Sequence, residues 1–252
     1  MNKRWTLENK TALVTGGTKG IGAAIAREFL SFGARVCVVA RSGEDIDKMK
    51  AQEGEMLTGI QQDMSKEDAF TNIMGFVEEN FGNLDILVNN VGMNIRKKTE
   101  EYTRLEYERI IQTNLTSAFE MSRYAWPLLK NVEGASIVNV SSVAGQKHLK
   151  TGSVYGMTKA AMIQFTKNLA CEWAQYNIRV NAIAPWYIKT PLANEVLKDK
   201  SYYNEVISRT PLEKIGDPED VASLAAYLCM PAAKFITGQC ISVDGGFTIY
   251  GF

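Results

Sequence analysis

The chain has 252 residues, with 28 Lys and Arg against 28 Asp and Glu, and His148 is its only histidine. A formal net charge of zero argues against a protein that coats nucleic acid or an anionic membrane, since both attract a surplus of positive charge. A single histidine excludes a metal site built from several histidines, and no metal site is predicted.

The composition, 46% hydrophobic and 22% charged, is typical of a globular protein with a sizeable core. Its cysteines are scattered and form no C-x-x-C pair, which indicates reduced thiols rather than a disulfide framework. No stretch of about 18 apolar residues occurs, and the first residues lack the apolar run of a secretion signal. We therefore expect a cytoplasmic protein without membrane partners. The cysteines are Cys37, Cys171, Cys229 and Cys240.

Short, nearly continuous apolar runs rich in β-branched residues alternate with helical patterns along the chain. Such runs are typical of strands buried on both faces of a parallel sheet. The predicted strands begin at Thr11, Ala34, Met56, Leu84, Ala135, Ile178 and Gln239. The predicted helices run from Ile21 to Phe32, Lys66 to Phe81, Leu105 to Leu129, Val154 to Tyr176 and Pro218 to Leu228.

This alternation predicts an α/β fold, a doubly wound parallel sheet of the Rossmann type with helices on both faces. No linker or repeat interrupts it, so residues 1–252 are expected to form a single domain. The stretch from Trp186 to about residue 212 lacks a strand and is rich in Tyr, Lys and Asn. Such insertions near the carboxyl ends of strands tend to cover a ligand, which predicts a substrate lid.

The strand from Thr11 leads into a glycine-rich turn with the spacing G-x3-G-x-G and then into an amphipathic helix. Glycines allow such a turn to approach a pyrophosphate, and the helix N-terminus offers free N–H groups to the anion. The alternative is a plain connection, but the surrounding strands and helices favour dinucleotide binding. The predicted contacts are Gly16, Thr18, Lys19, Gly20, Ile21 and Gly22.

The second strand ends at Val39-Ala40-Arg41-Ser42, without the acidic residue that holds the ribose 2′-hydroxyl in NAD-binding folds. Arg41 can instead bind a 2′-phosphate through its planar set of donors, with Lys19 as a second cation. The sequence therefore predicts NADP(H), bound in part by Arg41 and Ser42. Two exposed surface cations are the alternative interpretation.

Three further residues carry the predicted chemistry. Tyr155 and Lys159 share one face at the start of a predicted helix, and Ser142 ends the strand from Ala135, at the ligand edge of the sheet. A carbonyl that accepts a hydride also needs a proton, and a tyrosine with a pKa of about 10 exchanges protons poorly at neutral pH. A nearby ammonium lowers that pKa, and the serine can hydrogen-bond the carbonyl oxygen. These residues predict a carbonyl reductase.

Taken together, these motifs resemble the short-chain dehydrogenase/reductase family over essentially the whole chain. The resemblance implies that the asparagine holds a proton-relaying water and that the lysine also binds the nicotinamide ribose. The catalytic residues it implies are Asn114, Ser142, Tyr155 and Lys159. The cofactor contacts it adds are Asp63, Met64, Asn90, Gly92, Tyr155, Lys159, Ile188 and Thr190.

Within the family the chain resembles the tropinone reductase-like group, on segments such as residues 169–174, 177–181 and 231–239. The resemblance implies an NADPH-dependent ketone or aldehyde reductase that also oxidises alcohols. It further implies a homodimer or homotetramer, packed through the helices from Leu105 and Val154. It fixes the chemistry better than the substrate.

Four predicted substrate contacts are Ser142, Tyr155, Trp186 and Arg96. Trp186 stands where the family has glycine, so its backbone must suit a bulky residue; the ring either enters the substrate pocket or packs under the lid. Arg96 lies where tropinone-type enzymes have a pocket residue. With the polar residues Gln146, Lys147, His148 and Lys150 it predicts a basic pocket mouth that favours an acidic substrate, although a solvated loop of polar residues is the commoner interpretation.

The sequence lacks the motifs of two other enzyme classes. A hydrolase would need His148 as the base for Ser142, and the G-x-S-x-G motif is missing. The phosphate-loop motif of ATPases is also missing. Two alternatives stay open: a 3-oxoacyl-thioester reductase, and an NADP-binding subunit without turnover.

Overall fold

A computed structural model describes residues 3–251. All seven predicted strands are present and pair in parallel in one sheet, in the order β3-β2-β1-β4-β5-β6-β7. They are β1 (Thr11–Thr15), β2 (Arg35–Ala40), β3 (Leu57–Gln61), β4 (Ile86–Asn89), β5 (Ser136–Val140), β6 (Arg179–Pro185) and β7 (Cys240–Val243). The ends of the predicted domain, residues 1, 2 and 252, lie outside the described residues.

The helices lie on both faces of the sheet, as the sequence predicts. They are α1 (Gly20–Ser31), α2 (Gly43–Glu53), α3 (Ala69–Phe81), α4 (Arg104–Ile111), α5 (Ser117–Leu129), α6 (Ser153–Glu172), α7 (Pro191–Leu197), α8 (Lys200–Ser208) and α9 (Pro218–Cys229). The doubly wound parallel sheet is confirmed. Helix α2 was not predicted; its apolar side is short, and Ile46 and Met49 are its buried residues.

Successive strand residues point to opposite faces of the sheet and pack into two hydrophobic cores, one on each face. On one face, Val14 and Val38 pack with α1, α2 and α9. On the other, Leu13 and Cys37 pack with α3, α5 and α6. Because both faces are covered, the strands are apolar almost throughout, which explains why the sequence shows continuous apolar runs.

A buried polar ladder sets the position of α5 and α6 against the sheet. The Asn89 amide donates to Ser122 on α5 and to the Asn139 side-chain oxygen, at 3.0 and 2.9 Å. The Asn139 amide donates in turn to Thr166 on α6, at 2.9 Å. Buried polar groups must find partners, so these bonds favour one register between helices and strands.

The region predicted as one helix from Leu105 to Leu129 is divided in the structure. Between α4 and α5 the chain forms a π-helical turn at Gln112–Thr116, which contains the buried Asn114. One extra residue per turn rotates the following helix, and such turns are common at functional sites. The chain is thus helical from Arg104 to Leu129, as predicted, but the apolar pattern does not reveal the inserted π-helical turn.

The carboxyl ends of the strands all face one edge, and the chain order reverses between β1 and β4. In open α/β sheets, ligands bind in the crevice at such a reversal. The predicted lid also lies beyond this edge, after β6, and contains α7 and α8. The fold thus gathers the predicted site residues from distant parts of the sequence.

Candidate active site

Ser142 and Tyr155 are brought together by a close packing of the turn after β5 against α6. The turn contains Gly145, where an added Cβ would lie 2.6 Å from the backbone of Lys159. No side chain fits in that space, so this glycine is required for the close approach. The sequence interpretation missed Gly145, and its signal would have been a glycine placed between the serine and the tyrosine.

Lys159 is 3% exposed, and its ammonium donates to the Val140 carbonyl at 2.8 Å. The ammonium nitrogen lies 5.7 Å from the centre of the Tyr155 ring. A bond from the Ser141 hydroxyl to the Lys159 carbonyl, 2.8 Å long, holds the same helical turn against β5. Burial lowers the pKa of Lys159 to about 8, because a charge loses hydration there.

The pKa of Tyr155 differs from the sequence prediction. Burial raises it above its usual value, while the Ser142 hydroxyl and the charge of Arg96 act in the opposite direction. The prediction that Lys159 lowers the pKa of Tyr155 below its ordinary value is therefore wrong for this structure, because burial is the larger effect. The Ser142 oxygen accepts from the Ala144 N–H at 3.1 Å, which leaves its hydroxyl proton for Tyr155.

Asn114 is fully buried in the π-helical turn and fastens the chain after β4. Its amide oxygen accepts from the Met93 N–H at 2.8 Å, and its amide nitrogen donates to the Met93 carbonyl at 2.9 Å. The second amide hydrogen points to Thr158 on α6, at 3.2 Å. One acceptor position on the amide oxygen is left, so the water implied by the family resemblance stays a prediction.

The glycine turn has the shape of a phosphate cradle. Gly16 and Gly20 have positive φ, at 63° and 54°, and a Cβ at Gly22 would lie 2.2 Å from the Gly16 carbonyl oxygen. Helix α1 begins at Gly20, so its free N–H groups point toward the turn. The turn therefore fits a bound pyrophosphate, as the sequence predicts.

Asn90 and Thr190 close two sides of this cradle. The Asn90 amide donates to the carbonyls of Thr15 and Gly16, at 2.9 and 3.1 Å. A Cβ at Gly20 would lie 3.1 Å from the Thr190 methyl group, so the segment from Ile188 to Thr190 reaches the glycine turn.

Gly92 lies against two of the predicted catalytic side chains. A Cβ there would make ordinary van der Waals contact, 3.5 Å from the Lys159 ammonium and 3.7 Å from the Asn114 oxygen. The ribose contact with Lys159 that the resemblance implies stays a prediction.

Two of the predicted cofactor contacts, Asp63 and Met64, follow β3, and Met64 is buried. Hydrogen bonds from the Ser65 N–H and hydroxyl lower the pKa of Asp63, and the charge of Arg41 adds to this effect. Arg41 is exposed and forms no ion pair with any described residue. Its side chain is thus available to a ligand beside Asp63.

Lys19 does not match the prediction of a free second cation. Its ammonium lies 2.7 Å from Asp45 in the first turn of α2, and this contact is the largest of the effects that lower the pKa of Asp45. Ser42 is the N-cap of that helix and accepts from the Asp45 N–H at 3.1 Å. Of the two cations predicted to bind the 2′-phosphate, Lys19 is therefore already paired, because the unpredicted helix α2 brings the Asp45 carboxylate to it.

Trp186 packs into the lid. Its indole N–H donates to Thr210 at 3.0 Å, and its ring stacks on Phe247 with centroids 3.8 Å apart and planes at 6°. It also lines a cavity of about 590 Å³ with Tyr187 and Ile188, which Ser142 and Tyr155 do not line. This packing favours the lid interpretation of Trp186, and its contact with substrate stays a prediction.

Arg96 lies between the catalytic residues and the lid. One guanidinium nitrogen donates to the hydroxyls of Tyr187 and Tyr202, at 3.1 and 3.4 Å. The other polar residues predicted at the pocket mouth are less free: Lys150 pairs with Glu205 at 2.6 Å. His148 is exposed, and its role as a base for Ser142 gains no support from the contacts of the serine hydroxyl.

The chain is similar to known proteins over almost its whole length. A family model described as enoyl-(acyl carrier protein) reductase matches residues 16–248. A tropinone reductase homolog of Arabidopsis thaliana is 52% identical, over 100% of this chain and 97% of its own. The chain belongs to the short-chain dehydrogenase/reductase family. The resemblance to the tropinone reductase-like group is thereby confirmed.

Two further relatives of this short-chain dehydrogenase/reductase are informative. A second Arabidopsis thaliana homolog, whose name describes it as chloroplastic, is 45% identical, over 99% of this chain and 79% of its own. The solved RhlG/NADP active-site complex of Pseudomonas aeruginosa is 33% identical, with a TM-score of 0.91, and covers 98% of this chain and 99% of its own.

Among residues 3–251, no helix combines the length and apolar character needed to cross a membrane.

The buried Lys159 gives the protein a testable pH dependence of stability. Its pKa is about 8 in the folded chain and about 10.4 in an unfolded one, so the unfolded chain binds more protons between these values. Stability from this group therefore rises with pH through that window. We expect the free energy of unfolding to rise by about 1–2 kcal/mol from pH 8 to about pH 9.5, relative to a Lys159→Met variant, in urea titrations.

The upper limit avoids Tyr155, whose raised pKa acts in the opposite direction above pH 10. Lys167→Met, which removes an exposed lysine of the same helix, serves as the control and is expected to follow the parent protein. Parallel curves for the parent and Lys159→Met would contradict the assignment of a low pKa to Lys159.

The stack of Trp186 on Phe247 gives a second prediction. In a double-mutant cycle with Trp186→Leu and Phe247→Leu, we expect a coupling energy of about 0.5–1.5 kcal/mol, because stacked rings interact beyond their buried area. Additive effects would show that the stack does not stabilise the lid. An unchanged substrate KM in Trp186→Leu would place this ring outside the substrate pocket.

Proposed function

We propose that this protein reduces ketones or aldehydes with NADPH, and oxidises the corresponding alcohols in reverse. The observation that carries the proposal is the meeting of the Ser142 and Tyr155 hydroxyls, with the buried Lys159 ammonium beside them. Two neighbouring hydroxyls can donate to the two lone pairs of one carbonyl oxygen. A binding protein without turnover would need neither this pair nor the buried cation.

NADPH, when bound, supplies the hydride that the carbonyl carbon accepts. Tyr155 gives its hydroxyl proton to the carbonyl oxygen as negative charge develops there. Ser142 donates a hydrogen bond to the same oxygen and stabilises that charge. The Lys159 ammonium then stabilises the tyrosinate, since an opposite charge nearby favours the ionised form.

The proton on Tyr155 must be replaced after each turnover. Lys159, with a pKa of about 8, exchanges protons readily near neutral pH and lies next to the tyrosine. Asn114 keeps the chain after β4 against α6, and its remaining acceptor position is where the proposed relay water would bind. In the oxidative direction Tyr155 accepts the proton and the same groups act in reverse.

The preference for NADP(H) rests on Arg41 and the start of α2. Arg41 is exposed and unpaired among the described residues, and the N–H groups following Ser42 open a helix that favours an anion. The solved relative with NADP in its active site supports the same choice. Lys19 contributes less, because Asp45 already neutralises it.

Residues 1–252 are proposed to act as one oxidoreductase domain with a lid at about 186–212. Homodimer or homotetramer assembly is proposed from the family resemblance. Exposed apolar residues on α5 and α6, such as Phe119 and Met157, are compatible with a subunit interface there. The cytoplasm is the proposed compartment. A fluorescent fusion of the full-length protein tests it, because a relative's name indicates the chloroplast.

The two alternative functions predict different results in a substrate screen. An acyl-thioester reductase would oxidise NADPH with acetoacetyl-coenzyme A and only weakly with small ketones. A silent NADP-binding subunit would bind the cofactor and turn over no carbonyl compound. The same screen of ketones, aldehydes and thioesters separates all three.

Replacing the proposed proton donor gives a sharp test. Tyr155→Phe is expected to lower kcat by about two to four orders of magnitude while NADPH affinity, measured by fluorescence, stays within about threefold. Tyr176→Phe, which alters a tyrosine beyond the end of the same helix, serves as the control. Turnover that survives in Tyr155→Phe would remove Tyr155 from the proton-donor role.

The cofactor preference has its own test. Arg41→Gln is expected to raise the Kd for NADPH by about 10- to 100-fold and leave that for NADH nearly unchanged, because one charge-assisted phosphate contact is lost. Lys19→Gln is expected to have a smaller effect, and Lys48→Gln on α2 is the control. Equal affinity of the parent protein for NADH and NADPH would contradict the preference.

A further inference from the structure

Arg96 is held at the pocket by two tyrosines from different elements. Tyr187 follows β6 and Tyr202 belongs to α8, and their hydroxyls lie 2.6 Å apart. One guanidinium nitrogen, Nη1, donates to both hydroxyls, and the guanidinium carbon lies 5.9 Å from the centre of the Tyr187 ring. These contacts fix the guanidinium in place before any ligand binds.

Arg96 also differs from the other cations around the lid, because no described carboxylate pairs with it. Its sequence neighbour Lys97 pairs with Glu106 at 2.6 Å. Two cations on either side of the lid are also paired, Lys150 with Glu205 at 2.6 Å and Lys189 with Asp217 at 2.8 Å. Arg96 is half-buried and, unlike these three lysines, pairs with no described carboxylate.

This arrangement is unfavourable unless an anion joins it. Arg96 is half-buried, so its guanidinium has lost part of its hydration, and phenol oxygens do not neutralise its charge. The Nε and Nη2 groups make no hydrogen bond to any residue of the described range. That edge of a guanidinium has the geometry that binds a carboxylate through two parallel hydrogen bonds.

Arg96 belongs to a segment that packs beside the start of α6, the helix that carries Tyr155. The Asn94 amide donates to the Thr151 carbonyl at 2.9 Å, two residues before α6 begins. The charge of Arg96 also acts to lower the pKa of Tyr155, and its guanidinium contacts the lid through the two tyrosines. An anion bound here would therefore belong to the carbonyl compound and not to the cofactor.

We propose that the substrate is a carbonyl compound that carries a carboxylate, and that Arg96 binds this carboxylate through Nε and Nη2. The proposal rests on the proposed carbonyl reductase function and names its substrate class. Tyr187 and Tyr202 act as positioning residues, because their hydroxyls orient the guanidinium. An ammonium-bearing ketone would face the uncompensated charge of Arg96 and bind poorly.

Three probes of similar size test the proposal: 4-oxocyclohexanecarboxylate, its methyl ester and the cationic N-methyl-4-piperidone. For the parent protein, kcat/KM is expected to be at least about 10-fold higher for the carboxylate than for the ester, and lowest for the amine. In Arg96→Gln the ratio of carboxylate to ester is expected to fall by about 10- to 100-fold.

A structural role alone would lower both rates together and leave the ratio unchanged, which would overturn the proposal. Lys98→Gln removes a nearby exposed cation and is expected to keep the ratio within about twofold. Arg96→Lys is expected to recover part of the preference, since it restores the charge but not the paired donors. An ester reduced as efficiently as the carboxylate by the parent protein would also overturn it.

Calorimetry of the NADP⁺-saturated protein separates this proposal from the reductase function. Binding of 4-oxocyclohexanecarboxylate that disappears in Arg96→Gln supports the carboxylate site, even if no probe is reduced. In that case the reductase function fails and the binding site stands. If the ester is reduced but no carboxylate binding is measurable, the reductase function stands and the carboxylate proposal fails.

Discussion

The hydrogen bond from the Lys159 ammonium to the Val140 carbonyl is the interaction on which the rest of the site depends. It joins α6 to the end of β5 and holds the charge of a lysine that is only 3% exposed. A buried charge has few acceptable positions, so the helix register, and with it Tyr155, is constrained. The close packing at Gly145 allows this contact, because any side chain there would push the helix away.

Much of the fold could be predicted because a sheet covered on both faces leaves a strong signal in the sequence. Every strand residue of β1 and β5 is buried, and the glycines of the phosphate cradle are needed wherever a backbone turns so tightly. The pair of Tyr155 and Lys159 is also local, since both lie on one helical face. These features follow from spacing alone.

The features that could not be predicted depend on contacts between distant segments. The π-helical turn at Asn114 changes the helix by one residue, and no apolar pattern marks it. Asp45 meets Lys19 only because β1 and β2 are neighbours in the sheet. The contact of Arg96 with Tyr202 joins residues 106 positions apart, so the sequence showed a basic residue but not its partners.

In the proposed reaction, Ser142 and Tyr155 hold the carbonyl oxygen while the lid holds the remainder of the substrate. The most direct test uses NADPH deuterated at its transferable position and the best carbonyl substrate from the screen. We expect one deuterium per product molecule on the carbinol carbon, with NADPH consumed in equal amount. NADPH that binds but transfers no deuterium to any carbonyl compound would contradict it.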